Sequence, residues 1–179
     1  NFIGYFEDED ATRAAFDDAG FFRTGDLGSV DKDGFVRITG RKKAIIVTAG
    51  GKNIAPAPLE KGIEGGLAGQ VVVVGDERPY LGALIALDPE ILASTAQAAG
   101  WPGDATTWAK HPHVRAALQA RVDAANATLP RFQSVKRFAI LPGPLTIEAR
   151  ELTPTLKLRR SVIRARHADL IDQLYTPAP

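Results

Sequence analysis

Two apolar runs joined by a tight turn constrain this chain more than any other feature: "QVVVVGD" at 70–76 and "YLGALIALD" at 80–88. Runs of this length, bounded by Gly, Asp, Pro and Tyr, read as strands buried in a core. The intervening "GDERP" leaves room only for a hairpin-type link. A third run, "VKRFAILP" at 135–142, predicts another core strand. Between the second and third, Asp88-Pro89 starts a helix that runs to about Ala99, and "GWPGD" is a loop. A further helix is predicted from Pro112 to Thr128, because Val114, Leu118, Val122 and Ala125 fall on one stripe. The last helix carries Ile163, Leu170 and Leu174 on one side, flanked by Val162 and Ile171. Strands mixed with helices and hairpin-type links predict an α+β fold with a small, mostly antiparallel sheet flanked by helices. With 179 residues, 45% hydrophobic and 24% charged, the chain has enough apolar material for a core.

The first forty residues differ in character. "FEDEDATRAAFDDAG" (6–20) reads as a short acidic helix, capped by Asp10 and ended by Gly20. "DLGSVDKDGFVRITG" carries a hairpin signal, since "DKDG" supplies turn chemistry between two strand-like runs. Val36 and Ile38 alternate with Arg37 and Thr39, the period of a half-buried strand. "AIIVTAGGKNIAP" is a strand ending in a Gly-Gly turn. The helix candidate "APLEKGIEGG" follows, with Pro58 in its first turn and a glycine-rich end that predicts a short element.

Several function classes are excluded or disfavoured by composition. A net charge of +1 gives no global field for nucleic acid or anionic lipid, so any basic function is local. The absence of cysteine removes disulfides and thiolate metal sites, which fits a reducing cytosol. No apolar run approaches the ~20 residues of a membrane span, and the opening "NFIGYFEDED" has no signal-peptide pattern. The chain lacks methionine, residue 1 included, so it is expected to be a piece of a longer protein. His111, His113 and His167 have no acidic partners at metal-ligand spacing, and no metal site is predicted. Neither a GxSxG elbow nor a GxxxxGK[ST] phosphate loop occurs. Trp101 and Trp108 are read as packing residues.

Three stretches could carry chemistry. In "FFRTGDLG" (21–28), Asp26 sits in a Gly-flanked turn, where a carboxylate either caps the turn or accepts hydrogen bonds from a ribose diol. In "GRKKAIIVTAGGKNIAPAPLE" (40–60), the cations Arg41, Lys42 and Lys43 suit a solvated strand edge. Gly50 and Gly51 suit a turn, or a backbone that lies close to a ligand. In "ELTPTLKLRRSVIRARH" (151–167), Pro154 stiffens the segment before Lys157. Lys157 is then either the first cation on a solvated helix or a charge aimed at developing negative charge.

Taken in order and at their spacing, "GYFEDEDATRAAFDDAGFFRTGDLG", "DGFVRITGRKKAIIVTAGGKNIAPAPLE" and "LTPTLKLRR" resemble the last third of an acyl-adenylate-forming enzyme. That superfamily holds acyl-CoA synthetases, luciferases and peptide-synthetase adenylation domains. The wording "VTAGGKN" and the long stretch before "LTPTLKLRR" are most similar to the long-chain fatty acid–CoA ligases. The resemblance implies that ATP and a carboxylate give acyl-adenylate, and that coenzyme A then displaces AMP. It implies that residues 1–40 end a large N-terminal domain, while 41–179 form a mobile C-terminal domain with its hinge near Lys43. Asp26 would hold the ATP ribose hydroxyls, Arg41 would reach the ribose or phosphates, and Gly50 and Gly51 would line the CoA channel. Lys157 would bridge the substrate carboxylate and the α-phosphate, on the face opposite the two glycines.

Implied substrates are ATP with Mg2+, a fatty acid and CoA, with no cofactor bound in this portion. The implied partner is the chain's own N-terminal domain, which also leaves room for a peripheral membrane contact in a cytoplasmic protein. Long-chain relatives often carry a second lysine four residues after the hinge lysine, where this chain has Val47. The triphosphate loop and the acyl pocket lie outside this sequence, so the portion alone is expected to be inactive. Two alternatives remain at this stage. One is an adenylation domain that loads a carrier protein. The other is a basic nucleic-acid module built on Lys157, Arg159, Arg160, Arg164 and Arg166, against which stand Glu148, Glu151, Asp169 and Asp172 and the lack of a stacking aromatic set.

Overall fold

The structure is a computed structural model that describes residues 2–127 and 129–176. These fall into two compact units that divide between Ile45 and Ile46. In the first unit, α1 (Glu9–Ala15) is capped by the Asp8 carboxylate, which accepts the Ala11 N–H at 2.8 Å. The cap is thus Asp8 rather than Asp10, which lies inside the first turn, and the helix is shorter than residues 6–20 allow. Gly20 falls in the turn that follows. There Asp17 accepts N–H bonds from Ala19 and Phe21, and Phe2, Phe16 and Phe22 pack ring against ring.

Strands β1 (Asp26–Val30) and β2 (Val36–Arg41) form the expected antiparallel hairpin. The Asp31 carboxylate organises its turn by accepting from Asp33 and Phe35. Val36 and Ile38 are 69% and 63% exposed, so the half-buried strand expected from their alternation is not what forms. A lone two-stranded ribbon offers no second layer within its unit to cover an apolar face. A 3-10 turn, Lys42–Ala44, ends this unit.

The second unit opens with a small hairpin, β3 (Ile46–Val47) and β4 (Asn53–Ile54), closed by the Gly-Gly turn. Helix α2 (Pro56–Ile63) starts on Pro56 and has Pro58 in its first turn, where a missing N–H costs nothing. Strands β5 (Ala68–Val74) and β6 (Leu81–Leu87) follow as an antiparallel pair. Helix α3 (Pro89–Ala98) is capped by Asp88, as its sequence predicts. A short α4 (Ala105–Trp108), capped by Asp104, follows the loop. Thr107 donates to Asp104 from both backbone and hydroxyl, and these bonds hold its carboxyl below the ordinary aspartate value. Helix α5 (Pro112–Ala127) buries Val114, Leu118 and Val122. The predicted terminus, Thr128, lies outside the described residues. Strand β7 (Val135–Ile140) completes a sheet of order β5-β6-β7.

Three of the four strand pairings are antiparallel, and β7 lies parallel to β6. The connection through α3, α4 and α5 is long enough to return the chain to the same end of the sheet. The terminal amphipathic stretch is two helices, α6 (Arg160–Arg166) and α7 (Ala168–Tyr175), broken at His167.

Helices cover both faces of the three-stranded sheet, which explains its unbroken apolar runs. Val71, Val73, Ala83 and Ile85 face α2 and α5 in one core, with Leu59, Ile63, Leu118 and Val122. Their neighbours Val72, Val74, Leu84 and Ala86 face Ile163, Ile171 and Leu174 in the other. At Gly82 β6 lies close to α7, and a Cβ there would stand 2.8 Å from Leu174 Cδ1, so that side chain would have to shift. Burial pushes the Tyr175 hydroxyl up to about 12, so it stays protonated and donates to Val74 O at 3.3 Å.

Candidate active site

The hairpin register brings together two of the predicted residues. Asp26 and Arg41 are cross-strand partners, and Arg41 Nε lies 2.7 Å from Asp26 Oδ1. The turn before Asp26 is fixed by Gly25 at φ +73°, by Lys42 N–H donating to Gly25 O, and by Asp26 N–H donating to Thr24 Oγ1. The Asp26 side chain remains 25% exposed, and one carboxylate oxygen pairs with Arg41. A carboxylate has about four lone-pair sites, so hydroxyl donors can still be accepted there. Lys43 is exposed within the 3-10 turn at the end of the same unit.

Gly50 and Gly51 lie on the exposed tip of the β3–β4 hairpin. Gly51 has φ +71°, a left-handed conformation that favours glycine. Gly50 has no such constraint, and a Cβ on it would meet nothing within 4 Å. Local structure therefore accounts for Gly51 but gives no reason for Gly50. The tip closes on Thr48, whose carbonyl accepts Gly51 N–H at 2.8 Å and whose hydroxyl accepts Lys52 N–H at 3.2 Å. From outside, the turn between β5 and β6 holds the hairpin. Asp76 Oδ1 accepts Val47 N–H, Glu77 N–H donates to Val47 O, and Ala49 N–H donates to Arg78 O. That turn is tied in turn to the terminal helices by the Asp76–Arg164 and Arg78–Asp172 ion pairs.

Lys157 is not on a helix. It follows a tight turn closed by the Leu152–Leu158 bridge, ahead of the first residue of α6. Its own backbone is locked to Thr153. Lys157 N–H donates to Thr153 Oγ1 at 3.0 Å, and Lys157 O accepts Thr153 N–H at 2.9 Å. Between them Leu156 takes φ +59°, closed by Leu156 N–H on Thr153 O. Pro154 and the Thr153–Thr155 hydroxyl pair stiffen the same turn. The ammonium stands exposed, and no acid or acceptor pairs with it among the described residues.

Of the arginines after Lys157, Arg159 is exposed with only its backbone N–H bonded, and the other three have acidic partners within the molecule. Arg160 binds the Glu60 carboxylate with two nitrogens at 2.6 and 2.5 Å, Arg164 pairs with Asp76, and Arg166 lies 3.7 Å from Glu151. A nucleic-acid surface needs such cations free for phosphates, so this arrangement argues against that reading.

Three acidic residues that sequence reasoning did not single out as structural anchors hold these loops. Glu60, 93% buried by side chain, also accepts the Val73 N–H on the outer edge of β5. Asp76 anchors the Gly-Gly hairpin. Glu151 is buried beneath the Lys157 turn, where it contacts His167 Nε2 at 2.8 Å and its backbone oxygen accepts Arg159 N–H. The one sequence signal is isolation: Glu60 and Glu151 each stand beside apolar residues that go inside. Among the described residues no three His, Asp or Glu side chains are placed to hold a metal ion. No helix among them is long and apolar enough to cross a membrane.

Comparison with known proteins fits this geometry. Residues 43–178 match the family described as the AMP-binding enzyme C-terminal domain. The long-chain-fatty-acid–CoA ligase FadD15 of Mycobacterium tuberculosis is 47% identical over 97% of this chain, which spans 29% of that protein. The ligase ACSBG2 of Gallus gallus is 33% identical over 99% of this chain, which spans 26% of it. Among solved structures, the adenylation domain of a carboxylate reductase from Mycobacterium chelonae superposes with a TM-score of 0.78 at 25% identity, over 97% of this chain and 26% of that one. The chain thus spans under a third of the length of these relatives, and it belongs to the family of AMP-binding enzyme C-terminal domains.

Proposed function

We propose that this chain is the C-terminal portion of a fatty acid–CoA ligase, in which Lys157 serves acyl-adenylate formation and the Gly50–Gly51 hairpin serves thioester formation. The observation that carries it is Lys157, an unpaired ammonium held out by a turn whose backbone is locked on both sides. In the first step a carboxylate oxygen attacks the α-phosphorus of ATP and pyrophosphate leaves. Lys157 offsets the negative charge that gathers between the two reacting anions. Asp26, steered by Arg41, takes the ribose hydroxyls. In the second step the CoA sulfur, having lost its proton, attacks the acyl carbon and AMP leaves. The side-chain-free tip at Gly50 and Gly51 lets the pantetheine arm pass close to backbone. Lys43, next to the boundary between the two compact units, is the hinge in this reading, which divides the protein near residues 40–43. Mg2+ would enter as the companion of ATP.

The test uses the full-length enzyme and separates the half-reactions. Lys157→Ala is expected to slow adenylation, read as pyrophosphate exchange, on the order of 10²–10³-fold. It is expected to leave thioesterification of preformed acyl-adenylate intact, and equal loss of both steps rejects the role. Gly50→Leu, which has local room, is expected to do the converse. The carboxylate reductase neighbours, one solved as a didomain with a carrier module, favour a second reading in which the acceptor is a carrier-borne thiol. Offering free CoA and a phosphopantetheinylated carrier side by side in the second step decides between them.

A further inference from the structure

The β6–β7 pair is the parallel one in the three-stranded sheet, and the carboxyl ends of both strands open into a groove of about 830 Å³. Parallel strands linked by crossover helices leave a crevice at that end, where α/β sheets commonly take ligands. The volume lies within the roughly 300–1,000 Å³ of small-molecule sites. Its floor is Leu87, Leu92, Ile140, Leu141 and Leu170, drawn from both strands and from α3 and α7. Pro89, Pro142 and Pro144 form part of its wall, and their fixed φ angles favour a preformed shape.

Two cations complete the lining: Lys110, just after α4, and Arg115 on α5. No Asp or Glu lines the groove, and among the described residues neither cation has a carboxylate partner. Arg115 instead lies over the Phe138 ring, 4.9 Å from its centre. Arg78, Arg160 and Arg164 elsewhere in the domain each pair with an acid, whereas Lys110 and Arg115, like Lys157, do not. An apolar floor with two cations at its lining complements an amphipathic anion, such as an apolar chain ending in a single carboxylate. Neither Lys157 nor the Gly50–Gly51 hairpin contributes to the lining.

We propose that this groove is a second binding site, separate from the elements assigned to catalysis, for an amphipathic monocarboxylate whose head pairs with Lys110 and Arg115. The chain of the ligand covers Leu87, Leu92 and Leu141. Each of these bonds is charge-assisted.

Photolabelling of the full-length enzyme with hexadecanoic acid bearing a diazirine in its chain, followed by peptide mapping, tests this. The expected result is label within residues 105–110 or 140–144, resolved by sequence from label in the upstream part. Unlabelled hexadecanoate should displace it, while hexadecanol at equal concentration should not. Lys110→Glu with Arg115→Glu, both exposed positions, should lower groove labelling about tenfold or more and leave upstream labelling unchanged. Ala109→Phe, which fills the groove without altering charge, should abolish groove labelling. Absence of label from both segments, equal displacement by the alcohol, or indifference to charge reversal overturns the proposal.

Discussion

The role proposed for Lys157 asks for a backbone that is held in place. Lys157 meets that condition through Thr153, which takes its N–H on a hydroxyl and gives its own N–H to the Lys157 carbonyl. Leu156 is held at φ +59°, a conformation that costs an ordinary residue on the order of 1–3 kcal/mol. Removing the hydroxyl should let that turn relax. Thr153→Ala is therefore expected to cost about 1 kcal/mol of transition-state stabilisation, roughly fivefold in the adenylation rate. Thr153→Ser should restore it, and pyrophosphate exchange with the full-length enzyme reads both. Loss of activity in the serine variant would show that the methyl group, not the hydrogen bond, matters.

At the scale of elements, the two proposed working loops share one support. Helix α6 begins just after the Lys157 turn, and its Arg164 reaches Asp76, which in turn holds the Gly-Gly hairpin by the Val47 N–H. Asp76 thus joins an ion pair to a backbone bond through a single carboxylate. Asp76→Ala should free the hairpin and raise KM for CoA about tenfold in thioesterification, with pyrophosphate exchange unchanged. Asp76→Asn keeps an acceptor for Val47 and should recover part of the loss. A fall in both half-reactions would mean that Asp76 serves the fold rather than the hairpin.

For the whole molecule, the exposed edge of β5 is the weak line. Glu60 covers it by accepting Val73 N–H while clamping Arg160, so α2 on one face is fastened to α6 on the other. Gln70 helps at the far end by accepting Leu145 N–H at 2.9 Å. Edge strands left uncovered invite pairing with other chains. Glu60→Ala leaves a partly buried guanidinium and the buried Val73 N–H without their partner and should lower stability by about 2–4 kcal/mol, measured by urea unfolding. A loss below 1 kcal/mol would mean that water replaces the carboxylate there.

Much of this architecture was legible in the sequence because local chemistry decided it. The apolar runs at 70–76, 80–88 and 135–142 became β5, β6 and β7, and Asp88-Pro89 started α3 as predicted. Turn residues determined the β1–β2 and β3–β4 hairpins, and the wording around the Gly-Gly pair and Lys157 lies within the family match. Other features depended on partners far apart in the chain. The parallel β6–β7 pairing needs the connection through α3, α4 and α5 to return the chain to the same end of the sheet, and periodicity does not encode direction. At the break between α6 and α7, His167 meets Glu151, a partner sixteen residues away that periodicity does not reveal. Val36 and Ile38 alternate like a buried strand, yet burial requires a second layer that their own unit does not supply. The roles of Glu60, Asp76 and Glu151 are of the same kind. An acid in a sequence reads as surface charge, and only the fold decides which buried N–H and which arginine it meets.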